Sequence, residues 1–260
     1  MKSNEPQKQT NASQTLVRGL EIIDTILDGA RTIPDIAARC ELTYSTAHRL
    51  VSVLLQRGYL RHAADNELGP GPKLVQIGFA AQRSFDVVSI ARPHLRKLAR
   101  ETADTIHLAT RRGANVLYLD KIESQRPVEI RSWIGGQRPA IATGVGMASL
   151  IDMPTDELRE LFKRENGRKL TGMDVDAWLK QMAEYSKQQI AFDLGESEPA
   201  IRCVAAPIRD VTSAIVAAIS VTSTVDYMPA ERMRKLMPIV LALATAIGRD
   251  LGYDGTKRPG

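Results

Sequence analysis

Hydroxylated and basic side chains are concentrated on one side of a short segment that begins at Tyr44. From Tyr44 to Gln56, apolar residues recur at helical spacing, and the opposite face carries hydroxyl, imidazole, guanidinium and amide groups. Arginine can contact guanine through two hydrogen bonds, and serine and threonine can bond bases or phosphate. This pattern predicts a helix that enters a DNA major groove. The candidate DNA contacts are Tyr44, Ser45, Thr46, His48, Arg49, Arg57 and Arg61.

These candidates have different expected roles. Ser45, Thr46 and Arg49 are the first choices for contacts with DNA, and Arg49 is the candidate for reading a base. Tyr44 and His48 could touch backbone or bases at the start of the helix, while Arg57 and Arg61 would meet phosphate. Residues 42–64 contain no acid, so the local field is basic. The alternative is an ordinary solvated helix face, which polar residues form by default.

The elements around this helix predict a winged helix-turn-helix. A first amphipathic helix covers residues 16–27, and Thr32 is a plausible N-cap for a second helix with proline and aspartate in its first turn. Thr43 can cap the third helix, and Gly58 ends it. Two short strands, Tyr59 to His62 and Glu67 to Gly69, then flank a turn as the wing. The alternative for this hairpin is a cap on the small core.

Size and composition bound the remainder of the chain. The 260 residues predict about two domains, and the formal net charge of +5 is compatible with a nucleic-acid partner. The two cysteines are far apart in apolar contexts, so a disulfide framework is not expected. No signal peptide or membrane span is expected, so the predicted location is the cytoplasm, with no membrane partner.

The sequence beyond the wing predicts an α+β domain. A linker helix is expected from Pro72 to Ala91, and Pro93 would open the next helix. The remaining predicted strands are Ile106 to Thr110, Asn115 to Lys121, Val128 to Trp133, Ile201 to Ile208 and Ala214 to Thr222. The remaining predicted helices are a short one in MASLID, Pro154 to Arg164, Asp174 to Gln188, and a long one from Pro229. Strands flanked by helices indicate a sensor-type domain.

Several segments in the same order resemble the IclR family of bacterial transcriptional regulators. They are TLVRGLEII, IPDIAARCELTYSTAHRLVSVLLQRGYL, ARPHLRKLARETADTIHLA, VLYLDKIES, ATGVGMA, IRCVAAPI and AAISVTS. The resemblance implies a winged helix-turn-helix joined by a linker helix to a C-terminal GAF-like effector-binding domain. It also implies homodimers, often paired into dimers of dimers, on double-stranded operator DNA. Family effectors are mostly small organic acids, aromatic acids and sugar acids.

The resemblance also sets the expected domain boundaries. A flexible arm would cover residues 1–14, the DNA-binding domain 15–71, the linker helix 72–91, the effector and oligomerisation domain 92–252, and a tail 253–260. Neither a cofactor nor a metal site is expected.

The family pattern further implies an effector pocket in the C-terminal domain. Cys203 lies in a strand that lines the family's cavity, although a buried structural cysteine is the usual alternative. Asp193 matches an acidic pocket residue, and it must either contact an effector hydroxyl or be compensated, because a carboxylate repels an anion. The complete predicted set is Trp133, Thr143, Gly144, Val145, Met147, Asp193, Cys203, Ser220 and Thr222.

Within that set, the glycine-rich turn at Thr143, Gly144 and Val145 exposes backbone N–H groups at a helix start, where a carboxylate could bind. Its alternative is a plain helix start. Trp133 and Met147 would form an apolar wall, with core packing as the alternative for both. The direction of the Arg138 side chain is left open.

Two other function classes compete with a ligand-responsive regulator of catabolic genes. An enzyme would use Cys203 as a nucleophile, but two of the four histidines belong to the DNA-binding head, and no nucleophile elbow or phosphate loop is present. An architectural DNA-binding protein without an effector is the other alternative. The polar pocket residues favour a hydroxylated acid, with an aromatic acid also possible.

Overall fold

A computed structural model of the chain describes residues 14–84, 86–165, 174–196 and 198–255. The chain divides into two compact units, Met1–Ser84 and Phe85–Gly260. Residues 1–13 of the predicted arm and 256–260 of the predicted tail lie outside the described residues, whereas Gln14, predicted as the end of the arm, is the first residue of a helix. Among the described helices, none is long and apolar enough to span a bilayer.

The first unit contains four helices and a two-stranded hairpin within the described residues. They are α1 (Gln14–Leu27), α2 (Ile33–Arg39), α3 (Tyr44–Gln56), β1 (Leu60–His62), β2 (Leu68–Pro70) and α4 (Pro72–Ser84). Ile22, Ile26, Ile36, Val51 and Leu60 form the centre of a small core that joins α1, α2, α3 and the hairpin. This core fixes the angle between α2 and α3, and leaves the polar side of α3 outside.

Both predicted N-caps are confirmed. The Thr32 side chain accepts a hydrogen bond from the Asp35 amide at 3.3 Å, and the Thr43 side chain accepts one from the Thr46 amide at the same distance. These bonds satisfy amides that have no partner inside the helix. Gly58, with a left-handed φ of +74°, follows the C-terminus of α3 as predicted.

The hairpin predicted as the wing is also present. Its antiparallel strands pair Leu60 with Pro70 and His62 with Leu68. The first strand begins one residue later than predicted, and the second strand is shifted by one residue towards the C-terminus. Asp65 and Asn66 form the turn with φ values of 54° and 61°. Aspartate and asparagine tolerate this left-handed region better than most residues, which explains their place in the turn.

The linker region differs from the prediction of one helix from Pro72 to Ala91. Helix α4 ends at Ser84, and α5 begins at Val87 and continues to Thr102. Asp86 is the N-cap of α5, and its carboxylate accepts hydrogen bonds from the amides of Val88 at 3.1 Å and Ser89 at 3.2 Å. This side-chain cap starts a new helix, so Pro93 lies inside α5 instead of opening it.

The second unit is built on a six-stranded antiparallel sheet with the order β5-β4-β3-β8-β7-β6. The strands are β3 (Thr105–Arg112), β4 (Asn115–Ile122), β5 (Gln137–Pro139), β6 (Ala191–Asp193), β7 (Ile201–Arg209) and β8 (Ile215–Thr224). The other helices are α6 (Gly144–Leu150), α7 (Thr155–Glu165), α8 (Val175–Gln188) and α9 (Ala230–Asp250). The predicted α+β class is confirmed.

Strand alternation gives this sheet two faces. Ile106, Ile219 and Val221 contribute to the core that includes α5 and α9. Ala109, Ala205 and Ala218 face a second core with α6, α7 and α8. Because side chains alternate along a strand, polar residues two positions away from each of these alanines on the same strand also lie on this second face. This register therefore places the polar side chains of the candidate site on one face of the sheet.

Two parts of the strand prediction are wrong. Residues 128–133, predicted as a strand, have no regular secondary structure, and the edge strand is Gln137–Pro139 instead. The carbonyls of Ile130 and Ser132 accept hydrogen bonds from the Lys121 ammonium and so are not part of a ladder. The opposite edge strand, Ala191–Asp193, was not predicted.

Candidate functional site

The structure places the predicted DNA-contacting residues of α3 on one accessible side of the first unit. Tyr44, Ser45, His48 and Arg49 are exposed, whereas Thr46 is half-buried. Within the described part of the chain, the Arg49 guanidinium has no hydrogen-bond or ion-pair partner. An unpaired guanidinium in the middle of a helix face is free to bind an external acceptor.

Three hydroxyl groups form a cluster at the start of this helix. Thr43 Oγ1 lies 2.9 Å from Thr46 Oγ1 and 3.3 Å from Ser45 Oγ. Thr46 therefore contributes to capping, which fits its partial burial, while Ser45 stays accessible. Outside this cluster, Arg57 is the C-cap residue of α3, and Arg61 on β1 donates from Nε to the Pro70 carbonyl at 3.2 Å.

The second unit contains a small cavity of about 60 Å³ on the α6 side of the sheet. Seven of the nine predicted pocket residues line it: Thr143, Gly144, Val145, Asp193, Cys203, Ser220 and Thr222. The register explains this grouping, since Cys203 is paired with Asp193 on one side and Thr222 on the other. Directly paired residues point to the same face of a sheet.

Trp133 and Met147 do not line the cavity, so the predicted apolar wall is wrong. Trp133 is 59% exposed, and its ring lies 5.3 Å from the guanidinium carbon of Arg138. Met147 is fully buried in the core between the sheet and α6, α7 and α8. For Met147, core packing was the correct alternative.

Asp193 and Glu196 are two buried acids at the end of β6. Asp193 Oδ1 accepts hydrogen bonds from the amides of Gly195 at 2.9 Å and Glu196 at 3.2 Å. Burial, and then a hydrogen bond with the Glu196 carboxyl, raises the pKa of Asp193 from 3.8 to about 8. A carboxyl group with this pKa holds its proton at neutral pH, which removes the repulsion of an anionic ligand expected from the sequence.

His107 lies in the wall beside the hydroxyl groups of β8. Its Nδ1 is 3.3 Å from Thr222 Oγ1 and 3.4 Å from Ser220 Oγ, and its Nε2 is 2.8 Å from Ser132 Oγ. Burial, and then the positive charge of Lys121, lowers the pKa of His107 to about 3. The imidazole is therefore neutral and can donate through one nitrogen and accept through the other.

Two arginines and one exposed acid also line the cavity. Arg138, whose direction the sequence left open, lines it and donates from Nη2 to the Arg131 carbonyl at 3.2 Å. Arg131 lines it as well, and neither guanidinium has an acidic partner within the described residues. Glu198 is the exposed acid. Because these two guanidiniums outnumber the one exposed acid, the charge of the lining favours a ligand with an anionic group.

Comparisons with known proteins agree with both parts of the structure. The sequence model of the IclR helix-turn-helix domain matches residues 15–64, and that of the bacterial transcriptional regulator IclR C-terminal domain matches residues 79–249. The chain belongs to the IclR family. It is thus a DNA-binding transcriptional regulator with an N-terminal helix-turn-helix and a C-terminal effector-binding domain, as the resemblance implied.

Individual relatives match this IclR-family regulator over almost its whole length. The HTH-type transcriptional regulator XynR of Escherichia coli is 31% identical over 92% of this chain and 98% of its own. The crystal structure of the Agobacterium tumefaciens repressor BlcR has a TM-score of 0.77 and 26% identity, covering 94% of this chain and 99% of its own. A homolog from Microbacterium hydrocarbonoxydans, crystallised with 4-hydroxybenzoate, is 24% identical with a TM-score of 0.57, covering 92% and 99%.

The sequence interpretation of this regulator missed several residues of its cavity wall. They are His107, Tyr118, Ile130, Arg131, Ser132, Glu198 and Ile201. A signal for His107 was available, because it is a polar residue in an otherwise apolar strand. No local sequence pattern marks residues 130–132 as part of the cavity wall, because their position depends on distant contacts with Lys121 and His107.

Proposed function

We propose that this IclR-family regulator binds a small hydroxylated organic acid in the cavity of its second unit, and that binding changes its affinity for operator DNA. The observation that carries the proposal is the polarity of the cavity wall. The guanidiniums of Arg131 and Arg138, which have no acidic partner among the described residues, lie with hydroxyl groups and a neutral imidazole around the cavity. Such a wall suits a carboxylate with an adjacent hydroxyl or carbonyl group.

The protonation state of Asp193 supports an anionic ligand. With a pKa of about 8, the carboxyl is neutral at pH 7 and does not repel a ligand carboxylate. The exposed Glu198 is the remaining acid in the wall, and it is outnumbered by Arg131 and Arg138. The Microbacterium homolog crystallised with 4-hydroxybenzoate is compatible with this class of ligand, since that compound carries both a carboxylate and a hydroxyl.

Reversible binding explains the site better than thiol catalysis. Burial, and then the nearby Asp193 carboxyl, raises the pKa of Cys203, so the sulfur stays a thiol at neutral pH. A nucleophilic cysteine instead needs a lowered pKa and a base beside it. His107, with a pKa of about 3, is a poor base for that purpose.

For DNA, we propose that α3 lies in the major groove. Arg49 would read a base, with Ser45 and Thr46 near bases or phosphate at the helix start. Tyr44 and His48, whose ring centroids are 6.1 Å apart, would contact the adjacent backbone. Arg57 and Arg61 would meet phosphates on either side of the groove.

We also propose that the protein forms a homodimer, and that two such dimers associate on DNA. Helix α4 carries Val75, Ile77 and Phe79 at 56%, 44% and 62% exposure, an apolar surface that a solvated helix does not need. Symmetric binding sites match two-fold protein symmetry in helix-turn-helix regulators. A cytoplasmic location follows from the DNA partner.

The experiment that tests this function has two steps. An operator is first selected from random duplexes by binding to the full-length protein, and then a panel of organic acids is screened by thermal shift. Acids that raise the melting temperature are added to operator titrations. A stabilising acid that changes operator affinity at least threefold supports the proposal. If stabilising acids leave operator affinity unchanged, regulation by this cavity is wrong, and an architectural role becomes the better interpretation.

A further inference from the structure

Residues 130–134 form a strap, an irregular segment of which one part lines the cavity and the other is exposed. Ile130, Arg131 and Ser132 line the cavity, whereas Trp133 and Ile134 are 59% and 55% exposed. The strap therefore connects the interior of the site with the protein surface. Apart from Glu198, which lies between β6 and β7, the other lining residues belong to sheet strands or to the start of α6, whose backbone groups are held in regular hydrogen-bond patterns.

One buried ammonium group holds this strap. Lys121 Nζ donates to the carbonyls of Ile130 at 2.8 Å and Ser132 at 2.9 Å, and it lies 3.0 Å from Glu123 Oε1. An ammonium group has three N–H donors, and these three acceptors match them. The Lys121 side chain is only 8% exposed, so its two bonds to the strap are screened little by water.

Lys121 is also the strand partner of His107, whose imidazole contacts the strap from the side of the cavity. Lys121 on β4 is paired with His107 on β3, so the two side chains share a face of the sheet. His107 Nε2 lies 2.8 Å from Ser132 Oγ. Lys121 thus fixes the main chain at Ser132, and His107 bonds the side chain of the same residue.

The size of the cavity shows why the strap matters. An engineered cavity of about 150 Å³ holds a benzene molecule, and the cavity here, at about 60 Å³, is less than half that size. An aromatic acid therefore needs more room than the cavity offers. The strap supplies three neighbouring lining residues that belong to neither a strand ladder nor a helix, so this part of the wall can move at a low cost in backbone hydrogen bonds.

We infer that Lys121 is a positioning residue of the effector site, which holds the strap closed over the cavity and so limits the size of the acid that can bind. The size limit rests on the effector role proposed above, whereas the closure of the strap does not. Lys121 contributes through the strap carbonyls and does not line the cavity itself.

The ligand-free test is hydrogen exchange of the full-length protein carrying Lys121→Met. Methionine has a similar length and can remain buried, but it cannot hold the two carbonyls. The hydrogen-bonded amides in and directly after the strap, those of Ser132, Gly135 and Gly136, should exchange about tenfold faster or more, because two charge-assisted bonds that hold the strap are lost. Lys187→Met is the control, since Lys187 pairs with exposed Glu184 on α8, away from the strap. Ser132→Ala is the second variant, with a smaller increase expected in the same amides.

Unchanged exchange in the strap would overturn the inference. Equal acceleration throughout the second unit would overturn it too, because Lys121 would then be a general structural residue. The size limit is measured as the ratio of dissociation constants for 4-hydroxybenzoate and glycolate. Lys121→Met should lower this ratio at least threefold relative to wild type, and an unchanged ratio contradicts the size limit. If neither acid binds wild type, the proposed effector class fails, while the exchange result still decides the role of Lys121.

Discussion

The sulfur of Cys203 occupies the space in which a side chain at position 144 would begin. A Cβ atom built on Gly144 would lie well inside contact distance of Cys203 Sγ, and 3.4 Å from the Ala205 Cβ. Gly144 is not in the left-handed region, so this glycine is required by a close approach and not by backbone conformation. The contact fixes the first residue of α6 against strand β7, where both residues line the cavity.

Gly144→Ala should therefore destabilise the second unit by about 1–3 kcal/mol, as expected for overpacking in a rigid core. Cys203→Ala removes the obstructing sulfur, and the double variant should recover most of the loss. Urea denaturation of the four proteins gives the coupling energy in a double-mutant cycle. Additive losses in the double variant would show that Cys203 is not the cause.

The accuracy of the sequence-based predictions depends on the range of the interactions involved. Thr32 and Thr43 were predicted as caps because an N-cap bonds an amide only two or three residues away. The same local signal exists at Asp86 but was overlooked beside the strong apolar pattern of the linker. Residues 128–133 look like a strand by composition. They are not one, because Lys121 bonds two of their carbonyls, a contact that no local pattern records.

The candidate site shows the same difference between features set by local patterns and features set by distant contacts. Alternation within β7 and β8 was enough to place Cys203, Ser220 and Thr222 on one face. Trp133 and Met147 were misplaced because an aromatic or sulfur-containing side chain suits a cavity wall, a surface or a core equally well. Burial alone separates these alternatives, and it is a property of the complete fold.

Asp193 should make the stability of the protein fall with rising pH. Its pKa is raised from 3.8 to about 8 in the folded state, so between these values the folded protein holds a proton that the unfolded chain has lost. Because the unfolded state then binds fewer protons, the contribution of Asp193 to the free energy of unfolding decreases from about pH 4 to about pH 8 and is constant above. Asp193→Asn removes this contribution.

The measurement is urea denaturation at pH 5 and pH 8. The decrease in unfolding free energy between these two values should be smaller in Asp193→Asn than in wild type. Asp156→Asn changes an exposed carboxyl in the first turn of α7 and is the matched control, with the wild-type pH dependence expected. An identical decrease in wild type and Asp193→Asn would contradict the raised pKa.

Asp104 should be a major source of stability in the second unit. It is fully buried, and its carboxylate accepts hydrogen bonds from Arg126 at 2.8 Å and from Arg232. Asp104→Asn leaves two guanidiniums facing each other without an anion. Since both arginines are about one quarter exposed, water screens part of the effect, and we expect a loss of about 1–3 kcal/mol. Chemical denaturation measures it.

The control for this variant is Asp176→Asn. Asp176 pairs with Arg159 at 2.8 Å, but its side chain is 71% exposed. Exposed pairs contribute little, so its loss should stay below about 1 kcal/mol. Equal effects of the two substitutions would show that burial does not strengthen the Asp104 cluster.

Arg57→Ala should weaken DNA binding without changing sequence preference. A lysine or arginine that meets phosphate contributes equally on every duplex, because phosphates carry no sequence information. Affinity for the selected operator and for a scrambled duplex should fall by a similar factor. The slope of log affinity against log salt should decrease in magnitude by about one. Fluorescence anisotropy at several salt concentrations tests both statements, and a loss confined to the operator would assign Arg57 to base reading instead.

Arg49→Ala should instead remove sequence selectivity. An exposed guanidinium in the first two turns of α3, without an internal partner among the described residues, can form two hydrogen bonds with a guanine. Such a contact contributes about 1–3 kcal/mol of discrimination, so the ratio of operator to scrambled affinity should fall about tenfold or more. Arg39→Ala is the matched control, because Arg39 is also exposed in the head but is paired with Asp35 at 2.8 Å. If a folded Arg49→Ala protein keeps the wild-type ratio, another residue of α3 reads the base, and the proposed placement of this helix in the groove must be revised.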